Sequence, residues 1–175
     1  MIRILRLTVN AVLLPCLLAG CGYHTAGHSS RLPANVQVLA VPVFINQTQT
    51  YRIEQLLTRE VVREFNDRTK YHVVSSSGAD ADATLKGTVL SAQASPLTYD
   101  EKSGRISSAV VTVSVKVSLM DHAGHVLFEN ANYTFREQYQ VSREVASFFE
   151  EQTPALQRMS HDFARTLVSD ILEAF

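Results

Sequence analysis

The clearest pattern along the chain is an alternation of apolar and polar side chains between residues 108 and 120. Every second residue there is apolar: Ala109, Val111, Val113, Val115, Val117 and Leu119. Successive side chains of a β-strand point to opposite faces, so this alternation predicts a strand with one buried and one polar face. The "DHAGH" turn that follows has hairpin chemistry, with Gly124 suited to positive φ. We therefore expect an antiparallel meander over residues 84–139.

Shorter apolar runs predict the remaining strands. The run "VQVLAVPVF" is typical of a buried strand over residues 36–44, in which Pro42 must lie at a sheet edge or near the strand's end. Residues 71–74 and 84–94 predict two further strands, the second of them interrupted by a glycine. We expect a loop over residues 95–104.

Apolar residues at helical spacing predict two amphipathic helices. The stripe of the first consists of Ile53, Leu56, Leu57, Val61 and Phe65. Thr50 is its expected N-cap. The stripe of the second consists of Leu156, Met159, Phe163, Leu167, Val168, Ile171, Leu172 and Phe175. Thr153 is the expected cap there and Pro154 suits the first turn, which gives a helix roughly 30 Å long.

These elements define an α+β fold with a single domain over residues 36–175. Each helix has one apolar face and the sheet also has one. The simplest burial packs both helices on one face of a mainly four-stranded mixed/antiparallel sheet, as an α/β sandwich. The other face of the sheet then stays polar and available.

The N-terminus has the pattern of a secretory signal peptide over residues 1–20. Two arginines precede a short apolar run, which is too brief to span a membrane. The segment "LAGC" resembles the lipobox of bacterial lipoproteins, which implies cleavage before Cys21 and acylation of its thiol. Cys16 would be discarded with the signal. Residues 21–35 would form a lipidated flexible tether, and the absence of an aspartate after Cys21 favours the outer membrane by the same resemblance.

The charge balance and the motif content exclude several classes of function. Without residues 1–20 the chain has 14 basic and 17 acidic residues, which argues against a nucleic-acid partner. No catalytic or nucleotide-binding motif is present in the sequence. We therefore expect no enzyme activity, no cofactor and no metal site.

A few polar residues remain as candidates for specific chemistry. Lys102 and Arg105 flank a glycine at the tip of the meander, where two cations suit the phosphate or carboxylate groups of a lipid headgroup. Lys116, a lone cation in a Ser/Thr row, would extend that surface. The pair His122 and His125 is interpreted as part of a turn surface. Asp80 and Asp82 are interpreted as solubilising residues of a polar turn.

Several motifs, in their order along the chain, resemble the LptE family of lipopolysaccharide-assembly lipoproteins. They are "CGYH", "VQVLAVPVFINQT", "IEQLLTREVVREF", "DATLKGTV", "VTVSVKVSLMD" and "FFEEQTPALQRMSHDFARTLVSDIL". The resemblance implies a two-helix α/β sandwich that is lipid-anchored at the outer membrane. It also implies a plug inside an LptD-like β-barrel, which the protein helps to assemble and with which it delivers lipopolysaccharide to the outer leaflet. Lys102 and Arg105 would lie in the loop that the family associates with lipopolysaccharide.

Two alternatives stay open at this point. The strand "LAVPVFINQT" followed by a helix is also similar to curli-secretion and peptidoglycan-synthase-activator lipoproteins, which would bind a secretion pore or a cell-wall synthase. A lipid-anchored hydrolase that uses Asp80, Asp82 or the histidines is the other alternative.

Overall fold

The computed structural model describes Leu32 and residues 36–76, 78, 80–141 and 145–175, of which 145–152 are described as backbone alone. This part of the chain contains six strands and two helices. The strands are β1 (Val38–Ala40), β2 (Ile45–Asn46), β3 (His72–Val74), β4 (Ala83–Tyr99), β5 (Ile106–Asp121) and β6 (Val126–Gln140). The helices are α1 (Ile53–Arg68) and α2 (Val145–Glu173).

The strands form one mixed sheet in the order β3-β1-β4-β5-β6, with β2 beside β4. β1 is parallel to both β3 and β4, and β2 is parallel to β4. The strands β4, β5 and β6 form the expected antiparallel meander. The α+β class is confirmed, although six strands are found in the described residues where a mainly four-stranded sheet was predicted.

Of the strand predicted over residues 36–44, only Val38–Ala40 forms a strand, β1, and residues 41–44, which include Pro42, separate it from β2. Proline cannot donate to a ladder, and the next strand resumes only at Ile45. The backbone N–H of Phe44 instead donates to the hydroxyl of Thr58 on α1, at 3.0 Å. The chain between the two strands is therefore tied to the helix layer.

Helix α1 begins later than predicted, and Thr50 is not its N-cap. The N-cap is Arg52, which has a left-handed backbone (φ 57°) and makes no capping hydrogen bond through its side chain. The amide of Asn46 donates to the carbonyl of Thr50 and to the carboxylate of Glu54, both at 2.9 Å. Asn46 therefore holds Thr50 in the loop, and the helix begins beyond that loop.

Helix α2 begins earlier than predicted. It starts at Val145 and passes through Pro154 instead of starting beside it, so Thr153 is not the N-cap. Its 29 residues extend about 43 Å, longer than the expected 30 Å.

Both helices cover the same face of the sheet. Leu57, Val61 and Phe65 of α1 share one core with Phe163, Leu167 and Ile171 of α2, and with the alternate apolar residues of β5 predicted to point inwards. All of these side chains are buried. The helices also pack against each other, while the opposite face of the sheet remains uncovered by any described element.

Candidate functional site

The tip of the β4–β5 hairpin is built around Asp100. Its side-chain Oδ1 accepts hydrogen bonds from the backbone N–H groups of Lys102 (3.2 Å) and Ser103 (2.8 Å). Its backbone carbonyl accepts from the N–H of Gly104, which has a φ of 65°. Its own N–H donates to the carbonyl of Arg105 at 2.8 Å. These bonds close a turn of defined shape, and Gly104 supplies the left-handed residue that it requires.

Lys102 and Arg105, the two predicted tip cations, are both exposed on this turn. The loop itself is shorter than expected, because β4 continues to Tyr99 and β5 begins at Ile106. The prediction of a loop from residue 95 is therefore wrong. β4 continues past Pro96, which faces Ala109, and its register against β5 shifts between Pro96 and Thr98.

Three exposed apolar side chains lie next to these cations, and the sequence analysis did not single them out. Tyr99 and Ile106 are cross-strand partners at the base of the turn, and Leu97 lies two residues before Tyr99. All three are large hydrophobic residues left exposed. The tip therefore combines cations with apolar side chains, a composition that suits an amphiphilic molecule with an anionic headgroup. In the sequence, the two-residue spacing of Leu97 and Tyr99 is the pattern that would place both side chains on one face of a strand.

Lys116 lies away from the tip. It is 11 residues beyond Arg105 along β5, which corresponds to about 36 Å. Its ammonium group forms an ion pair with Glu129 of β6 at 3.0 Å. The structure therefore brings Lys102 and Arg105 together but places Lys116 on a different part of the molecule.

The uncovered face of the sheet is largely polar. Its residues include Thr112, Ser114, Lys116 and Ser118 of β5, and Thr134, Arg136 and Gln138 of β6. The hydroxyls of Ser114 and Thr134 lie 3.4 Å apart across the two strands. The predicted polar face is thus present and presents hydroxyl, amide and charged groups to its surroundings.

Two of the four residues considered for metal or acid–base chemistry, His125 and Asp82, make local hydrogen bonds. Nδ1 of His125 lies 2.9 Å from Oδ2 of Asp121, and this hydrogen bond lowers the pKa of the Asp121 carboxyl. The carboxylate of Asp82 accepts from the backbone N–H groups of Gln37 and Val38, both at 2.8 Å. It thereby ties the start of β1 to the start of β4. Within the described residues, no three histidine, cysteine or acidic side chains are grouped to hold a metal.

Cys21 lies outside the described residues, so its acylation stays a prediction. Leu32, from the predicted tether, is described and is 3% exposed. Its backbone N–H donates to the hydroxyl of Tyr71, just before β3, at 2.8 Å. This end of the domain is opposite to the hairpin tip, because β4 begins beside β1 and runs 17 residues away from it. In the part of the chain that the structure covers, no helix is long and apolar enough to cross a bilayer.

Several solved structures share this fold. The PelC dodecamer from Paraburkholderia phytofirmans aligns with a TM-score of 0.54 at 17% identity, over 83% of this chain and 92% of that one. Uncharacterized lipoprotein B from Nitrosomonas europaea aligns with a TM-score of 0.55 at 15% identity, over 86% and 90% of the two chains. Rare lipoprotein B from Shewanella oneidensis gives 0.50 at 14% identity, over 75% and 92%. No curated protein sequence matches this chain.

The fold thus defines a class, the two-helix α+β sandwich that several solved bacterial lipoproteins adopt. The family follows from the sequence itself, since the LptE family, described as lipopolysaccharide-assembly, matches residues 36–171. This chain belongs to the LptE family, which assigns it a role in lipopolysaccharide assembly. The resemblance stated from the sequence motifs is therefore confirmed.

Proposed function

We propose that this protein is a lipid-anchored, non-catalytic component of the outer membrane that plugs an LptD-like β-barrel and assists its assembly. In this role it takes part in the transfer of lipopolysaccharide to the outer leaflet. The observation that carries the proposal is the LptE family match over nearly the whole described domain.

The uncovered face of the sheet supports the barrel part of the proposal. A large outer-membrane barrel has a polar interior, and such interiors are often closed by a plug. A sheet face of hydroxyl, amide and charged groups is compatible with such a polar interior. The pair of Lys116 and Glu129 is already neutralised on this face, so it adds no unpaired charge to the interface.

The hairpin tip supports contact with lipopolysaccharide. Lys102 and Arg105 provide cations for phosphate groups, while Tyr99 and Ile106 provide apolar contacts for acyl chains. Lys116 is assigned to the sheet face in this proposal, because its distance from the tip prevents it from contacting the same headgroup.

Affinity purification from membranes tests the barrel partnership. The chain is tagged after Phe175, extracted in mild detergent and captured, and the recovered proteins are identified by mass spectrometry. We expect an LptD-type barrel in stoichiometric amount. Recovery of a secretion pore or a penicillin-binding protein in its place would favour the alternative lipoprotein functions and would contradict the proposal.

The two cysteines provide a matched test of the lipid anchor. Cells are grown with an alkynyl fatty acid, and the label on Cys21→Ala and Cys16→Ala variants is compared. We expect the Cys21 variant to lose the label and the Cys16 variant to keep it, because only Cys21 lies at the predicted acylation position. Equal labelling of both variants would rule out Cys21 as the attachment site.

A further inference from the structure

A groove of about 600 Å³ is lined by residues of both helices. Helix α1 contributes Arg59, Glu60 and Arg63 to its walls. Helix α2 contributes Gln157, Arg158, His161 and Asp162. Three guanidinium groups from two different helices therefore surround one concavity.

The carboxylate of Glu60 forms ion pairs with two of these guanidinium groups. Its side chain is 11% exposed, and its carboxylate lies 2.5 Å from Nη2 of Arg63 and 3.6 Å from Nε of Arg59. Its buried oxygen Oε2 makes no hydrogen bond besides this ion pair. Arg63 is thereby held before any ligand arrives, which reduces the side-chain entropy that binding would remove.

The guanidinium groups retain donors for further acceptors. The arginine side chains at the groove are each more than half exposed. Arg158 donates from its Nε to Glu137 of β6 at 2.6 Å, a bond that does not use its two terminal nitrogens. A guanidinium has five N–H donors, so a single ion pair uses only part of its capacity.

The lining indicates what kind of molecule fits. The described residues that line the groove include no large apolar side chain for an acyl chain, which disfavours a lipid. Glu60 and Asp162 in the lining, together with the Glu137 that binds Arg158, offset the three positive charges. This disfavours a small multivalent anion but leaves guanidinium N–H donors unused. Arginines interspersed with an amide and two carboxylates instead match a polar protein segment that contains acidic residues, and arginine is enriched at protein interfaces.

We propose that the interhelical groove is a docking surface for an acidic segment of a protein partner. The inference rests on the proposed function, and it places this segment in the LptD-like barrel. Carboxylates of that segment bind the terminal nitrogens of Arg59 and Arg158, while Glu60 keeps Arg63 in position between them.

Neutralising variants of the full-length lipoprotein test the groove. The groove variant is Arg59→Gln with Arg158→Gln, which leaves the partner of the buried Glu60 in place. The control is Lys70→Gln with Arg52→Gln, an equal charge change at exposed positions that lie outside both the groove and the uncovered sheet face. Each variant is captured with its barrel and washed at rising NaCl. We expect the groove variant to retain at least about fivefold less barrel after washing at moderate salt, because it lacks two charge-assisted contacts, and the control to match the wild type.

A photo-crosslinking residue at Gln157 reports the occupant directly, and one at Lys70 serves as its control. We expect the Gln157 adduct to map to a barrel segment rich in aspartate or glutamate. Equal salt resistance of the groove variant, a crosslinked segment without acidic residues, or a lipopolysaccharide adduct would each overturn the inference. In these cases the wild type still captures the barrel and the proposed function stands. A wild type that captures no barrel would instead refute the proposed function, and this inference with it.

Discussion

Substitution of Gly87 by alanine is expected to destabilise the domain through a clash with one aromatic ring. Gly87 lies in the middle of β4, opposite Val117, on the face that the helices cover. A Cβ atom at this position would lie 2.4 Å from Cδ2 of Phe44 and 2.5 Å from its Cε2 and Cγ. Because Cγ is among these atoms, rotation of the ring does not remove the clash.

The surroundings of Phe44 prevent it from moving away at little cost. Its ring is buried and packs edge-on against Phe163, with centroids 6.3 Å apart. Phe163 in turn packs edge-on against Tyr133 and Phe135. Inserting a methyl group into a packed core costs about 1–3 kcal/mol. Replacing glycine stabilises by about 0.4–1 kcal/mol through the unfolded chain, so the net loss should be about 1–2 kcal/mol.

Urea denaturation of residues 22–175, followed by far-UV circular dichroism, measures this loss. Gly78→Ala is the matched control, since a Cβ there meets nothing within 4 Å. Gly87→Ala is also measured in a Phe44→Leu background, because the smaller and more flexible leucine side chain can move away from the new methyl group. We expect Gly87→Ala to lose less than half as much stability in the Phe44→Leu background. An unchanged unfolding free energy for Gly87→Ala, or an equal loss in both backgrounds, would refute this reasoning.

Three further results are expected. Hydrogen bonds from the N–H groups of Val38 and Gln37 lower the pKa of the Asp82 carboxyl below its ordinary 3.8. The ionised carboxylate therefore contributes its full stabilisation at pH values above 3.8, and this stabilisation is lost as the pH falls through the pKa of the folded state. Asp82→Asn should therefore lower the unfolding midpoint at pH 7, with the difference from wild type shrinking in acid, and Asp80→Asn should have little effect; parallel pH profiles would contradict this. Tyr133→Phe removes the hydroxyl that donates to Asp170 at 2.6 Å and should cost about 1 kcal/mol in urea denaturation, whereas the exposed Tyr99→Phe should cost almost nothing. Lys102→Gln with Arg105→Gln should reduce the amount of lipopolysaccharide that the detergent-solubilised protein retains in a pull-down. The control variant, Lys70→Gln with Arg136→Gln, should retain as much lipopolysaccharide as the wild type.

The sequence predicted best those features that depend on one element alone. The alternation in β5 identified its buried face, and Gly124 was expected at positive φ, where the structure gives 88°. The helix stripes were identified for the same reason, since the spacing of Phe163, Leu167 and Ile171 follows from helix geometry. The turn that presents Lys102 and Arg105 was located through its glycine, which has a φ of 65°.

Element boundaries were predicted less well, because contacts between elements set them. The sequence near Thr50 does not show that the amide of Asn46 donates a hydrogen bond to the Thr50 carbonyl, so that α1 begins only at Ile53. The extension of β4 to Tyr99 likewise depends on pairing with β5, which carries the strand past Pro96. Apolar residues beside the tip were missed because residues 95–104 were interpreted as a loop, in which Leu97 and Tyr99 have no defined face.

The interhelical groove shows most clearly what a single-element pattern omits. On α1 alone, Arg59 and Arg63 occupy the polar side of an amphipathic helix, and such residues usually contact solvent. On α2 alone, Arg158 has the same appearance. Packing of the two helices on one sheet face sets these three side chains around a shared concavity, and the buried carboxylate of Glu60 then becomes an anchor for two of them. The chemistry of this surface therefore arises from tertiary packing between residues about 100 positions apart, which explains why neither helix predicted it.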